Sequence, residues 1–155
     1  MTVYCLYIFN RYGECLLYRV YKRTYAPRDP GDEQKNMYGM LFAMRNFCQK
    51  MSPAQAAESD GKGLTQREVQ AHLQYYVAGN YALHYFETPT GLRFIMTTGT
   101  QFTGFDVNQC LRRIHARLYV EYVVSNALYT PGEPIQSALF LEKLDAYVKA
   151  LPIYE

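Results

Sequence analysis

From Val3 to Phe9 the chain is apolar at nearly every position, with Val3, Cys5, Tyr7 and Phe9 on one alternating set and Tyr4, Leu6 and Ile8 on the other. Successive side chains of a strand point to opposite faces, so this pattern predicts a strand covered above and below. Asn10-Arg11-Tyr12-Gly13 predicts a tight reversal, since Gly13 tolerates positive φ, and Glu14 to Tyr21 returns as a second strand. That turn sets Cys5 opposite Tyr18 and Cys15 opposite Ile8, a register in which the two thiols do not bridge. Pro27, Pro30 and Gly31 then interrupt the alternation and predict a loop over 25–32.

The period changes at Glu33. Met37, Leu41, Met44, Cys48 and Met51 recur at three- and four-residue steps, which predicts an amphipathic helix capped by Asp32 and ended before Pro53. A second stripe on the same helix runs through Tyr38, Phe42, Arg45 and Gln49, with Gly39 between the two. Glycine inside a helix costs about 1 kcal/mol against alanine, so Gly39 suggests that another backbone comes close. Residues 53–74 are polar and read as a surface insertion.

Further strands are predicted over Leu73–Val77, Asn80–Glu87 and Leu92–Thr98, with Thr88-Pro89-Thr90-Gly91 as the turn between the last two. In the fourth strand Tyr81, Leu83 and Tyr85 face one way and Ala82, His84 and Phe86 the other. Asp106 is placed to cap a helix whose stripe is Val107, Cys110, Leu111, Ile114, Leu118 and Tyr122. Tyr119, Val120, Val123 and Val124 add apolar residues on its other faces, so that end is expected to be covered nearly all round. A last helix carries Leu139, Phe140, Leu144, Tyr147, Val148 and Leu151. The order β-β-α-β-β-β-α-α, without an internal repeat, fits an α/β (α+β) domain: a five-stranded antiparallel sheet with helices on both faces, spanning residues 1–155 as one unit.

Composition changes this picture in one respect. Tyrosine supplies 16 of 155 residues and tryptophan none, so much of the buried surface is phenolic, with a hydroxyl to satisfy on each ring. Sixteen basic against fourteen acidic residues give a formal charge of +2, too balanced for the basic stripe of a phosphate-backbone binder. No apolar run is long enough for a spanning helix and no basic signal lead opens the chain, so a cytoplasmic domain is expected. Cys5, Cys15, Cys48 and Cys110 lack C-x-x-C spacing and read as reduced thiols.

Catalytic signatures are missing. His72, His84 and His115 sit in separate segments without H-E-x-x-H, no cysteines have metal-ligand spacing, and neither a nucleophile elbow nor a dinucleotide fingerprint occurs. His84, on a strand, reads as a satisfied interior or edge residue rather than a ligand. Gly61-Lys62-Gly63 lacks the upstream glycine and the hydroxyl residue of a phosphate loop. No catalytic residue, metal or cofactor is therefore expected, and a binding or assembly module remains. An aromatic-sheet RNA-binding module is the alternative from another class, although the basic-glycine-aromatic motif of such sheets is absent.

Several motifs, in order, carry a resemblance. T-V-Y-C-L-Y-I-F-N-R-Y-G (Thr2 to Gly13), M-Y-G-M-L-F-A-M-R-N-F (Met37 to Phe47) with K-M-S-P (Lys50 to Pro53), Y-A-L-H-Y-F-E-T-P-T-G (Tyr81 to Gly91), L-Y-V-E-Y-V (Leu118 to Val123) and L-D-A-Y-V-K-A-L-P (Leu144 to Pro152) closely resemble the subunit 1 family of TRAPP, the transport protein particle. The departure is the insertion at about 53–74, onto which nothing functional is carried.

The resemblance implies a longin-like (profilin-like) fold with strand order 2-1-5-4-3. It also implies a non-catalytic core subunit of a complex that exchanges guanine nucleotide on the Rab GTPase of ER-to-Golgi transport and tethers vesicles. The partners so implied are a second longin-like subunit, Bet-three-type subunits and, through the assembled complex, the Rab GTPase. Association with cis-Golgi and ER-Golgi membranes would be peripheral and through the complex, with no direct nucleic acid contact. Longin-type adaptor subunits share the architecture but not the motifs. Within this frame Tyr38, Gly39, Phe42 and Arg45 are expected to form a subunit interface, the stripe being too apolar for a free surface. The loop residues Thr88, Pro89, Thr90, Gly91, Thr98 and Gly99 are expected to face the GTPase or a neighbour.

Overall fold

The computed structural model describes residues 2–23, 25, 27–52, 72–101 and 104–154. Most of the insertion read at 53–74, including the Gly61-Lys62-Gly63 triplet, lies outside the described residues. Residues 1–26 and 74–155 form one compact unit and residues 27–73 another.

The first unit holds a five-stranded antiparallel sheet of β1 (Val3–Phe9), β2 (Cys15–Val20), β3 (Tyr75–Val77), β4 (Ala82–Glu87) and β5 (Arg93–Thr98). Their order is β2-β1-β5-β4-β3, the order implied by the longin-like resemblance. β5 is central and buried at all six positions, including Arg93, Thr97 and Thr98. Arg93 is balanced across the β4–β5 pair by Glu87, with Nε 3.7 Å from Oε1, and Glu87 also accepts from the Tyr85 hydroxyl at 2.9 Å.

Two irregularities in β1 alter the expected register. Tyr7 pairs with Tyr18 and Cys5 with Val20, two residues from the expected partner of Cys5, and Phe9 rather than Ile8 faces Cys15. The reversal holds three residues beyond Asn10, since Asn10 N–H donates to Glu14 O at 3.0 Å with Gly13 at φ 92°, and a bulge between Ile8 and Phe9 adds a further residue. All four cysteines are free. A second shift between Val3 and Cys5, against β5, turns Val3 to the face of Leu6 and Ile8, away from Cys5, Tyr7 and Phe9. At that point the Thr97 hydroxyl accepts from Cys5 N–H at 3.1 Å, standing in for the backbone acceptor that the shift displaces.

α2 (Val107–Arg113) starts at Asp106, whose side chain accepts from Gln109 N–H at 3.1 Å, as expected of a cap. From Ile114 the helix widens into a π segment (Ile114–Val124). The reason lies in the sequence. Glu121 follows Ile114 by seven residues, close to two α turns, so an unbroken α-helix would carry this carboxylate onto the core face. The wider i→i+5 turn rotates Tyr119 and Val123 inward instead, and Glu121 stays exposed. The stripe expected to continue through Leu118 and Tyr122 is therefore displaced by one position, with those two only half-buried. Val120 and Val124 are exposed, so this end is not covered all round.

α3 (Ala138–Lys149) is capped by Ser137, which accepts from Phe140 N–H at 3.3 Å. It buries Phe140, Leu144 and Val148, while Leu139, expected on that stripe, is 51% exposed. These helical residues form one core with Leu6, Ile8, Leu17, Phe94 and Met96 of the sheet. Arg19 of β2 ties the layers by a two-pronged ion pair to Asp145 of α3, which also accepts from the Tyr21 hydroxyl at 3.1 Å. On the other face Cys5, Tyr7, Phe9, Leu83, Tyr85 and Ile95 are likewise buried. Burial of Tyr7 and Phe9 on β1 and Phe94 on β5 leaves these rings closed to the base stacking that the RNA-binding alternative needs.

The second unit contains α1 (Pro30–Lys50). It begins three residues before the expected start. Asp29, not Asp32, is the cap, its side chain accepting from Gly31 N–H at 2.7 Å, and Pro30 occupies the first turn, where its missing N–H costs nothing. Asp32 and Glu33 then lie near the positive end of the helix dipole.

Candidate interaction surfaces

On α1 the four residues of the expected interface differ in exposure. Tyr38 and Arg45 are half-buried, Gly39 is exposed and Phe42 is 50% exposed. Spacings of four and three residues put Tyr38, Phe42 and Arg45 on one helical face. Nothing lies within 4 Å of the position a Cβ on Gly39 would take, so the close approach expected there is not made among the described residues. Phe47 and Met51 are also exposed, but at five and nine residues beyond Phe42 they lie on a different side of the helix.

The loop residues divide. Thr98 is the last residue of β5 and fully buried, its hydroxyl 3.1 Å from Nε2 of His84, so it does not face a partner. Thr88 is also buried. Its hydroxyl accepts from Leu92 N–H at 3.0 Å and its backbone oxygen accepts from Gly91 N–H at 2.9 Å, which closes the hairpin. Both threonines are turned inward because the backbone groups around a strand end need these partners. Pro89 and Thr90 are exposed at the hairpin tip, and Gly91 and Gly99 are half-exposed. The tip and Gly99 stand at opposite ends of β5, about 20 Å apart at strand rise, so they belong to two surfaces rather than one site.

Beside the β4–β5 tip lies the β1–β2 tip, which the sequence reading did not single out. A Cβ on Gly91 would fall 2.6 Å from Cβ of Arg11. The Arg11 guanidinium sits 4.9 Å from the ring centre of Tyr12 and donates to its hydroxyl at 2.7 Å, with Tyr12 72% exposed. An Arg-Tyr pair inside a predicted turn was the available signal, since these residue types anchor interfaces.

Among the described residues, burial is the main cause of most shifts in the titratable groups. Burial pushes the Cys15 thiol up to about 11, against a smaller opposing effect of its bond to the Leu17 carbonyl, and burial also raises Cys110, so both stay protonated and poorly nucleophilic at neutral pH. Burial lowers His84 and His115, favouring neutral rings. His84 stacks on Tyr75, and His115 packs among Phe86, Phe94 and Tyr119, so each is a half-buried ring held by aromatic neighbours. A hydrogen bond to Tyr81, then burial, raises Tyr76 to about 12. Among the described residues no cluster of His, Cys, Asp or Glu is placed to hold a metal ion, and no helix is long and apolar enough to cross a membrane.

Sheet order and helical layer together define an α/β domain of longin-like architecture whose exposed features are aromatic, arginine and aliphatic side chains. The chain belongs to the Sybindin-like family, whose model matches residues 3–151. It is 39% identical to the proteins named "Trafficking protein particle complex subunit 1" of Rattus norvegicus and of Homo sapiens, over 99% of this chain and 97% of each relative. "Transport protein particle subunit bet5" of Schizosaccharomyces pombe is 28% identical over 99% of this chain and its own full length. The solved structure titled "MglB with tetrameric arrangement" superposes with a TM-score of 0.45 at 12% identity, over 74% of this chain and 73% of its own.

Proposed function

We propose that this chain is a non-catalytic structural core subunit of a TRAPP-type particle, which acts as exchange factor for the Rab GTPase of ER-to-Golgi transport and tethers vesicles. The observation that carries the reading is the near-full-length identity to proteins named as subunit 1 of that particle. An exchange factor favours a GTPase conformation that holds nucleotide poorly, and so needs complementary surface rather than an acid, a base or a metal of its own. A second longin-like subunit and Bet-three-type subunits are its proposed neighbours, and the complex is its proposed route to cis-Golgi and ER-Golgi membranes.

Tyr38, Gly39, Phe42 and Arg45 are the proposed subunit contact. Pro89, Thr90, Gly91 and Gly99 are the positions left for a GTPase or a neighbour. Co-expression with the remaining core subunits tests both levels. Phe42→Asp, at a half-exposed position, is expected to leave the chain folded and to lower its recovery in the complex; full recovery removes the α1 contact. Nucleotide release from the GTPase is expected to collapse when the chain is omitted. A particle that assembles and exchanges normally without it sinks the function.

A further inference from the structure

The outer face of the run Val107–Val124 changes character along its length. Arg112, Arg113 and Arg117 stand exposed along it, Arg112 with its guanidinium 5.6 Å from the ring centre of Phe86, and Val120 and Val124, 39% and 61% exposed, follow them toward its end. Glu121 is the only acidic residue between Val107 and Leu128. Just past the π segment Asn126 builds a compact turn: its side-chain oxygen accepts from Leu128 N–H at 3.0 Å and its backbone oxygen from Tyr129 N–H at 3.0 Å. Leu128 is thereby fixed outward at 92% exposure. Beside it opens a cavity of about 350 Å³, lined by Tyr122, Asn126, Leu128, Tyr129, Glu133 and Ile135.

An outward leucine held by a hydrogen-bonded turn forgoes the burial that its side chain would otherwise gain, and the apolar surface continues through Val124 and Val120. We propose that this face docks a partner protein, whose carboxylates meet Arg112, Arg113 and Arg117 while an apolar side chain enters the cavity beside Leu128. Charge and shape select that occupant. An anionic bilayer would meet the carboxylates of Glu121 and Glu133 and could not fill a cavity lined in part by Asn126 and Glu133. A second copy packed face to face would offer two carboxylates, Glu121 and Glu133, for three guanidinium groups. A protein surface that is both acidic and apolar satisfies the arginines, the leucine and the cavity together. This surface does not depend on which particle the chain joins.

The test places p-benzoylphenylalanine at position 128 of the full chain in its own cells, with the same probe at position 42 as a reference. Irradiation is expected to give one discrete protein adduct at position 128, mapping to a segment that carries Asp or Glu beside apolar residues. Arg113→Glu with Arg117→Glu should lower that adduct roughly tenfold. Exchanging the mapped carboxylates for lysine should restore it in the double variant, and the adduct at position 42 should not change. An adduct to lipid, binding of the chain alone to phosphatidylserine-rich vesicles, an adduct to another copy, a protein adduct indifferent to the arginine changes, or no adduct would each overturn the proposal. Circular dichroism melting of each variant checks the fold. A mapped partner outside the particle leaves this surface standing and counts against the proposed function; an assembled particle without the adduct does the reverse.

Discussion

Single side chains do backbone work at several points in this molecule. Thr97 takes the Cys5 N–H where β1 slips against β5, and it does so from a buried position. Thr97→Val keeps the shape and deletes the acceptor, so urea unfolding is expected to show a loss of about 1–3 kcal/mol, the cost of a buried unsatisfied donor. Gly91 is bound in another way. Its φ of 88° lies in the left-handed region, and a Cβ there would strike Arg11 at 2.6 Å. Gly91→Ala should therefore cost at least about 1–2 kcal/mol by the same measurement, and more if the β1–β2 tip cannot move aside.

At the scale of elements, the strands were legible because their alternation is dense and because Gly13 and Gly91 mark reversals that need positive φ. Their register was not, since a bulge is a compromise between two strands and leaves no mark in either alone. The start of α1 was missed because Pro30 reads as a breaker although the first turn accepts it. The π segment was hidden by a plausible α stripe, and only the position of Glu121 argues against that stripe. The candidate surfaces were legible in part: Phe42 stood out by its spacing, whereas the exposure of Val120 and Leu128 depends on which helical turn the core selects.

The same reasoning yields a prediction for the helix. Deleting Ala116, an exposed residue, resets Leu118, Tyr119, Tyr122 and Val123 to three, four, seven and eight residues after Ile114, a plain α spacing. The deletion is expected to retain a cooperative melt with undiminished helical circular dichroism. Loss of cooperative melting would show that the wide turn is needed for the core itself.

For the whole molecule, two half-buried histidines couple stability to pH. His84 and His115 have lowered pKa values in the fold through desolvation, while an unfolded chain takes up their protons near 6.5. Below that pH the unfolded state binds more protons than the folded one, so stability is fully present above about 6.5 and falls as the pH drops further. Melting temperatures at pH 7.5 and 5.5 should differ in that sense. His84→Gln should flatten the slope, and an unchanged slope in that variant would assign the effect elsewhere.

The strand order has a consequence for how the chain is made. β1 emerges first, yet its inner partner is β5, and the Cys5–Thr97 bond joins residues 92 apart in sequence. At a synthesis rate of roughly 5–20 residues per second, one edge of β1 waits about 5–20 s for its neighbour. During that interval the β1–β2 hairpin carries Leu6, Ile8 and Phe9 with an open row of backbone donors and acceptors beside them, the features by which nascent strands recruit one another. Production of the folded chain should therefore depend on chaperone capacity and on the pace of elongation between residues 10 and 98, well before any partner is met.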